Sequence, residues 1–304
     1  MPPTTRNRTD RCPGILRPWI ADDGALLRIR TPAGRLRTDA LRGLLDAAGR
    51  FGDGHVYVTS RANVQIRGVG DGLPQLASRI DELGLLPSPA HDRARNIMAS
   101  PLTGRLGGRA DVSLLARQLD ALLLADSRLA ELPGRFLFVL DDGRGDLIHR
   151  DLDLGLVAVD SEYGQLRVGT RRWGAHVRLD RAADVLVSLA RTFLAVRGSG
   201  PNAPWHVDEL DISDVDALAS PRPQDRRAAA QSPAPPHGPL AQDDGRHCAH
   251  VPLPGGVLTS ATGALADAGA DVIMTPWRSL LLPDLNPRTA SIPAQKGTDA
   301  SASR

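Results

Sequence analysis

Lysine and cysteine are nearly missing from this chain. Of its 37 basic residues only Lys296 is a lysine, and Cys12 and Cys248 are the only cysteines in 304 residues. Two thiols are too few for a disulfide framework and too few for a four-thiolate metal cluster. The arginines that replace lysine are spread along the whole length without a basic block, and the formal net charge is only +2, which argues against a nucleic-acid partner. Aromatic residues are scarce at 3%. No apolar run approaches the roughly 20 residues that cross a bilayer, and Met1 to Arg6 lead into no hydrophobic segment. The expectation is a cytoplasmic protein with no membrane partner. A hydrophobic content of 41% is enough for one large domain or two ordinary ones.

What is present begins with an alternation. From Thr59 to Gly68 the odd positions Thr59, Arg61, Asn63, Gln65 and Arg67 are all polar, and the even ones are mostly apolar. Side chains two apart on a strand point the same way, so these five are expected to stand in one row. Val56-Tyr57-Val58 before them is β-branched and aromatic, as a strand leaving a buried core would be. Two guanidiniums and two carboxamides offer many donors and no fixed negative charge, which suits a large planar anion bearing several carboxylates. An ordinary antiparallel strand with one solvated face shows the same alternation.

Around this row the spacing predicts strand, helix, strand, strand, helix between Gly24 and Leu86. Ala25 to Arg30 reads as extended. Thr38 is placed to cap a helix carrying Leu41, Leu44, Leu45 and Ala48, and Gly72 to Leu83 repeats the helical spacing. A second α/β unit follows, with helices at 112–125 and 182–196, strands at 135–140 and 154–159, and a short strand at Trp205-His206-Val207. Ser220 to Asp244, rich in Pro, Ala, Arg and Gln without apolar period, reads as a linker. Beyond it, Asp244-Gly245, Pro254 to Thr259, a small-residue helix and Asp271 to Arg278 repeat the order of elements met from Asp23-Gly24 to Arg61, at an offset of roughly 220 residues. Two such half-units can pair about a pseudo-twofold axis.

Four segments then resemble the nitrite/sulfite reductase superfamily, and within it the precorrin-3B synthase branch of cobalamin biosynthesis. They are Arg11-Cys12-Pro13-Gly14, the Thr59 to Gly68 run, Arg95-Asn96-Ile97-Met98-Ala99-Ser100-Pro101-Leu102-Thr103-Gly104, and Leu132-Pro133-Gly134-Arg135-Phe136 continuing to Asp141-Asp142-Gly143-Arg144-Gly145-Asp146. Thr275 to Leu282 adds a fifth. The resemblance implies an α+β fold with two ferredoxin-like half-domains of the nitrite/sulfite reductase type plus one α/β tetrapyrrole-binding unit. The implied boundaries are 1–90 for the first half-domain and 91–218 for the α/β 4Fe-4S/siroheme-type domain. A disordered linker at 219–243, the second half-domain at 244–285 and a disordered tail at 286–304 complete them.

The same resemblance implies that Arg61 and Arg95 hold tetrapyrrole carboxylates, with Asn63, Gln65, Arg67, Asn96 and Arg135 around them; it assigns no catalytic residue. It implies an anionic tetrapyrrole as partner, precorrin-3A or a siroheme-like pigment, and the activity of an oxygen-dependent hydroxylation of precorrin-3A with lactone formation. Reductases of the superfamily carry two lysines at the positions of Arg135 and Leu137, so the loss of one cation here points away from sulfite or nitrite and towards the precorrin branch. The alternatives are a siroheme-dependent nitrite or sulfite reductase and a non-catalytic tetrapyrrole-binding remnant.

Family members also bind a [4Fe-4S] cluster through two cysteine pairs in a C-terminal unit. Neither Cys12 nor Cys248 sits in either pattern, so the expectation is a truncated chain, or one whose cluster unit is a separate polypeptide, with apolar surface left exposed near residues 95–108 and on the second half-unit. His247-Cys248-Ala249-His250 has metal-binding residue types, but strand geometry points them to opposite faces, and no metal site is expected. Asp141 to Asp146 reads as a polar turn rather than a calcium loop.

Overall fold

The computed structural model describes residues 10–200, 202–265 and 269–286. The strands are β1 (Trp19–Ala21), β2 (Gly24–Ile29), β3 (Arg35–Arg37), β4 (Val56–Val58), β5 (Val64–Val69), β6 (Ile97–Ala99), β7 (Phe138–Asp141), β8 (Leu154–Ala158), β9 (Tyr163–Val168), β10 (Arg172–Arg178), β11 (Gly238–Ala241), β12 (His247–Val251), β13 (Val257–Leu258), β14 (Asp271–Met274) and β15 (Leu280–Leu285). The helices are α1 (Thr38–Phe51), α2 (Leu73–Glu82), α3 (Ser113–Ala125), α4 (Ala182–Arg197), α5 (Ile212–Leu218) and α6 (Ser260–Leu265).

The repeat read from the sequence is a repeat in space. Each half runs hairpin, tight turn, short strand, helix, hairpin, and each donates its short strand to the other half. The first sheet has the order β1-β2-β5-β4-β13, and the second β11-β12-β15-β14-β3. Val257 and Leu258 pair with Tyr57 and Val56, while Arg35, Leu36 and Arg37 pair with Ile273, Val272 and Asp271. The turns that launch the exchanged strands match: Ala33 and Gly34 have φ of 55° and 68°, and Gly255 and Gly256 have 63° and 76°. The hairpin turns match as well. Thr59 N–H donates to the Asn63 carbonyl and Thr275 N–H to the Ser279 carbonyl, with Ala62 and Arg278 both at φ 57°.

Both sheets press their apolar faces into one core. Leu27, Ile29, Val64 and Ile66 come from the first, Ala249, Val251, Leu280 and Leu282 from the second, and Leu41, Leu44, Leu45 and Ala48 from α1. Period-two burial on the strands and the 3.6-residue stripe on α1 therefore converge on the same volume. Thr38, expected to cap α1, instead sends its hydroxyl to the Gly269 carbonyl and its N–H to that of Ala270, tying the helix start to the second half.

The middle unit is a separate five-stranded sheet of order β10-β9-β8-β7-β6, parallel among β6, β7 and β8 and antiparallel beyond, with α3 and α4 packed on it. Trp205-His206-Val207 is not a strand, for a short 3-10 turn occupies Val207–Glu209.

Two expectations are corrected. Residues 219–243 are not a disordered linker, because they carry β11 and run along the middle sheet. Arg222 N–H donates to the Trp173 carbonyl, the buried Gln165 amide bonds the Pro223 carbonyl and the Asp225 N–H, and Ala228 plugs a cluster with Val157 and Val159. A buried side-chain amide satisfies this backbone, so no apolar period is needed. Nor is apolar surface left open at 95–108, since Ile97, Met98, Ala99 and Leu102 are all buried. The tail expected at 286–304 lies, apart from Asn286, outside the described residues.

A Cβ at Gly34 would stand 2.1 Å from the Met274 carbonyl oxygen at positive φ, whereas one at Gly70 would meet nothing within 4 Å. Gly34→Ala is expected to cost roughly 2–4 kcal/mol in urea unfolding and Gly70→Ala almost nothing, and equal midpoints would refute the strand exchange as a stability determinant.

Candidate functional site

The outward faces of the two exchanged sheets are chemically different. On the second sheet, Cys248, Ile273 and Leu281 face out and are buried against Leu102 of the middle unit, with Leu106 and Leu240 at the rim. An ion pair between Arg105 and Asp284 at 2.8 Å clamps that contact. On the first sheet the positions facing away from the core hold Tyr57, Gln65, Arg67 and Arg28. Tyr57 and Arg28 flank Gln65 directly across the strands. The Arg67 guanidinium lies 4.6 Å above the Tyr57 ring and donates to Gln65 Oε1 at 3.2 Å. Arg30 follows at the end of β2, 2% exposed, and Arg61 stands in the turn after β4.

This is a bank of arginines without a carboxylate closing on it. Among the described residues, Arg28 Nε and Arg30 Nε are buried without a hydrogen-bond partner. Arg30 spends its terminal nitrogens on the Pro13 and Gly134 carbonyls, and Arg61 Nη1 donates to the Arg135 carbonyl at 2.8 Å. Burial, then the neighbouring guanidiniums, push Arg30 down to about 9, so it stays charged at neutral pH; burial also lowers Arg28 and Arg61. Stacking like charges in a half-buried place is unfavourable unless an anion shares it. The bank meets these requirements for a polycarboxylate.

The residues expected at the site divide into binders and bolts. Arg61, Gln65 and Arg67 belong to the bank. They do not stand in one continuous strand, however: the chain turns from Thr59 to Asn63, with Ala62 at positive φ, and only Gln65 and Arg67 share β5. The Thr59 hydroxyl caps that turn by accepting from the Asn63 N–H, which the alternation alone could not reveal. Asn63 is 1% exposed; its Oδ1 accepts from the Thr31 N–H and its Nδ2 donates to Asn96 Oδ1. Asn96 in turn donates to the Gly134 carbonyl. The two asparagines therefore bolt the first half to the middle unit. Arg95 is turned away, closed in a two-pronged ion pair at 2.7 Å with Asp120 of α3. The carboxylate it was expected to meet is supplied by the chain itself.

Sequence reasoning missed Arg28 and Arg30. Their alternation with Leu27 and Ile29 was visible, but only the pairing of β2 with β5 sets them beside Gln65. Arg135 lies at the other end of the bank, on the wall of a cavity of about 680 Å³ shared with Asp151 and His206. Leu137 is 4% exposed among Met98, Val139, Leu147 and Leu152, so this position is core. Gly134 is where the resembling segments meet: its carbonyl takes Arg30 and Asn96, its N–H goes to Asp10, and a Cβ there would lie 2.7 Å from that of Cys12.

A [4Fe-4S] cluster does not fit the thiols present. Cys12 sits beside the bank, its thiol pushed up by burial and by Asp10, and Cys248 is buried on the covered face of the second sheet, where it donates to Gln242. Asp141, Asp142 and Asp146 crowd together in the polar turn, where Asp141 accepts three backbone N–H groups and Asp142 pairs with Arg144. These bonds account for the turn without an ion.

Comparison with known proteins agrees with this geometry. Residues 21–83 match the model of the Nitrite/Sulfite reductase ferredoxin-like half domain. The chain carries a nitrite/sulfite reductase ferredoxin-like half domain. A ferredoxin–nitrite reductase of Synechococcus elongatus is 27% identical over 161 residues, covering 50% of this chain and 31% of the relative. One from Leptolyngbya laminosa is 27% identical over 235 residues, covering 69% and 46%. A precorrin-3B synthase of a Sinorhizobium species is 36% identical over 76 residues, covering 25% and 17%. The chain thus spans less than half the length of these relatives. The structure of the Mycobacterium tuberculosis NirA protein superposes with a TM-score of 0.71 at 19% identity, covering 93% of this chain and 58% of that one, which establishes a shared fold. The half domain contains Arg28, Arg30, Arg61 and Arg67, all of the bank. Among the described residues no helix is long and apolar enough to cross a membrane.

Separating bolts from binders gives a direct test. Asn63→Ala strands buried partners on both sides of the interface and is expected to cost about 2–4 kcal/mol in denaturant unfolding, while the exposed Arg67→Ala changes it by less than about 0.5. The reverse order would make Asn63 a ligand-facing group.

Proposed function

We propose that this chain holds a polycarboxylate tetrapyrrole on the arginine face of its first half domain, as the pigment-binding part of an oxidoreductase that hydroxylates precorrin-3A with oxygen and closes a lactone. The carrying observation is the bank itself: Arg28, Arg30, Arg61 and Arg67 stand together with two buried, unpartnered Nε atoms, and among the described residues no carboxylate forms an ion pair with any of them. Carboxylates along one part of a macrocycle would meet planar, charged donors there, with Tyr57 and Gln65 as neutral contacts between the charges. The buried Leu137 favours precorrin over sulfite or nitrite, because a second cation for a small anion is not built at that position.

The two nitrite reductase relatives favour a second reading, a siroheme-holding part of a nitrite reductase-like enzyme. Both readings place a tetrapyrrole on the same arginines and differ in the pigment. Oxygen or anion chemistry on either needs electrons, which a [4Fe-4S] cluster would supply when bound. Cys12 and Cys248 do not furnish its ligands. The outward face of the second sheet is buried by the middle unit, whereas among the described residues its symmetry mate, the arginine face, has no such cover, which supports a reading in which a separate cluster-bearing unit would seat there over the pigment. A non-catalytic pigment carrier would share the bank and lack that unit.

Uroporphyrin III, whose ring positions all carry acid side chains, is a usable probe by absorption titration. Wild type is expected to bind it with an affinity that falls as salt rises, Arg28→Ala and Arg61→Ala each to bind at least roughly tenfold more weakly, and the remote Arg50→Ala to match wild type. Unchanged affinity in both bank variants would overturn the assignment. Competition between precorrin-3A and siroheme then separates the two pigments.

A further inference from the structure

The cavity beside Arg135 holds a histidine that sequence reasoning left without a role. His206 sits just before the 3-10 turn Val207–Glu209, and its Nδ1 accepts the Asp208 N–H at 3.0 Å, which places the neutral ring's proton on Nε2. That Nε2 makes no hydrogen bond among the described residues; the nearest carboxylate oxygen, Asp153 Oδ1, is 3.7 Å away, beyond hydrogen-bond reach. Asp153 is itself fully buried, with one oxygen on the Val207 N–H and the other on the Leu137 N–H. The ring is thus fixed in orientation while one donor is left unspent at the wall of a cavity of about 680 Å³.

Charges of both signs meet at that wall. Arg135, Arg171 and Arg172 line it. Asp151, Asp208 and Glu209 also line it and are all exposed to solvent; Asp208 accepts the Thr170 N–H with both oxygens and Glu209 accepts the Trp205 N–H with one, so backbone donors partly engage these two. Arg135 joins the cavity to the arginine bank, since it lines the cavity and its carbonyl accepts from Arg61.

We propose, resting on the pigment reading above, that one carboxylate arm of the tetrapyrrole reaches from the arginine bank into this cavity, where His206 Nε2 closes on it as hydrogen-bond donor beside Arg135. His206 is then a specificity-determining contact: it selects a macrocycle whose acid arm is long enough to pass Arg61. In the free protein burial holds the His206 ring below its usual pKa, with Arg135 acting in the same sense and Asp208, Glu209 and Asp151 against it. Burial pushes Asp153 up to about 7, so below that pH the ring faces a neutral carboxyl. A bound carboxylate stabilises the imidazolium: the ring takes a second proton from solvent on Nδ1, which gives up the Asp208 N–H and turns to Asp208 Oδ2, 3.6 Å away, and the ring's pKa rises. By linkage, the proton's contribution to affinity is complete below the free-state pKa and is lost as pH rises through the bound-state pKa.

Histidine ring NMR on the full chain, with and without uroporphyrin III, reads this directly, the His206 signal being the one absent from His206→Gln. The titration midpoint of His206 is expected to rise by about one unit when the porphyrin is bound. His206→Gln, which keeps a donor but cannot take a proton, is expected to flatten the pH dependence of affinity between pH 5.5 and 8, with Asp153→Asn measured alongside to remove the carboxyl's own contribution. An unmoved His206 midpoint in a sample whose absorption shows bound porphyrin would overturn the inference and leave the bank intact. Loss of all porphyrin binding would instead sink the pigment reading, and this inference with it.

Discussion

Everything at the site depends on the exchange of two short strands. β3 and β13 are three and two residues long, too short to be stable alone, and each completes the other half's sheet. The exchange forces the two halves to share a core and fixes them about a pseudo-twofold axis. It also sets two outward faces at equivalent places, so any difference between those faces comes from side chains rather than backbone. Gly34 and Gly256 are the points where this is most exacting, because positive φ and the close approach of the other half's carbonyl coincide there.

The two faces have been put to opposite uses. Equivalent positions hold Gln65 on one and Leu281 on the other, Tyr57 and Ile273, Arg28 and His250. The apolar set closes against Leu102 and needs nothing more. The polar set keeps its charges half-buried and unpaired, at a cost in stability that an apolar face would not carry. Such a cost, in a fold that already contains a cheaper solution on its other side, is what the proposed anion would offset. The tilt of Arg95 into Asp120 strengthens this contrast, since that arginine is neutralised internally and the bank arginines are not.

Much of this was legible in the sequence. The stripe of α1, the repeat, the polar alternation and the absence of cluster ligands were all visible as local pattern, and pattern of that kind survives folding because it reports which face of an element is buried. Four features were not. The turn at Thr59 to Asn63 keeps the polar alternation of a strand while reversing the chain, because its polar groups bond the backbone. The stretch 219–243 has the composition of a linker yet is held by the buried amide of Gln165, by Ala228 packed on Val157 and Val159, and by the pairing of β11 with β12. Arg28 and Arg30 needed the register of β2 on β5, and the loss of Arg95 and Asn63 from the site needed Asp120 and Asn96, both far away in sequence or on another unit. Local spacing names residue types on a face; partners brought by tertiary contact decide whether those residues are free.

A crystal structure of the chain grown with uroporphyrin III is the most direct measurement of the central claim, that the uncovered face of the first half domain is an anion site. Macrocycle density over Gln65, with carboxylates in hydrogen-bonding reach of Arg28 and Arg61, is the expected result. Density seated elsewhere, with Arg28 Nε still unpartnered, would contradict it.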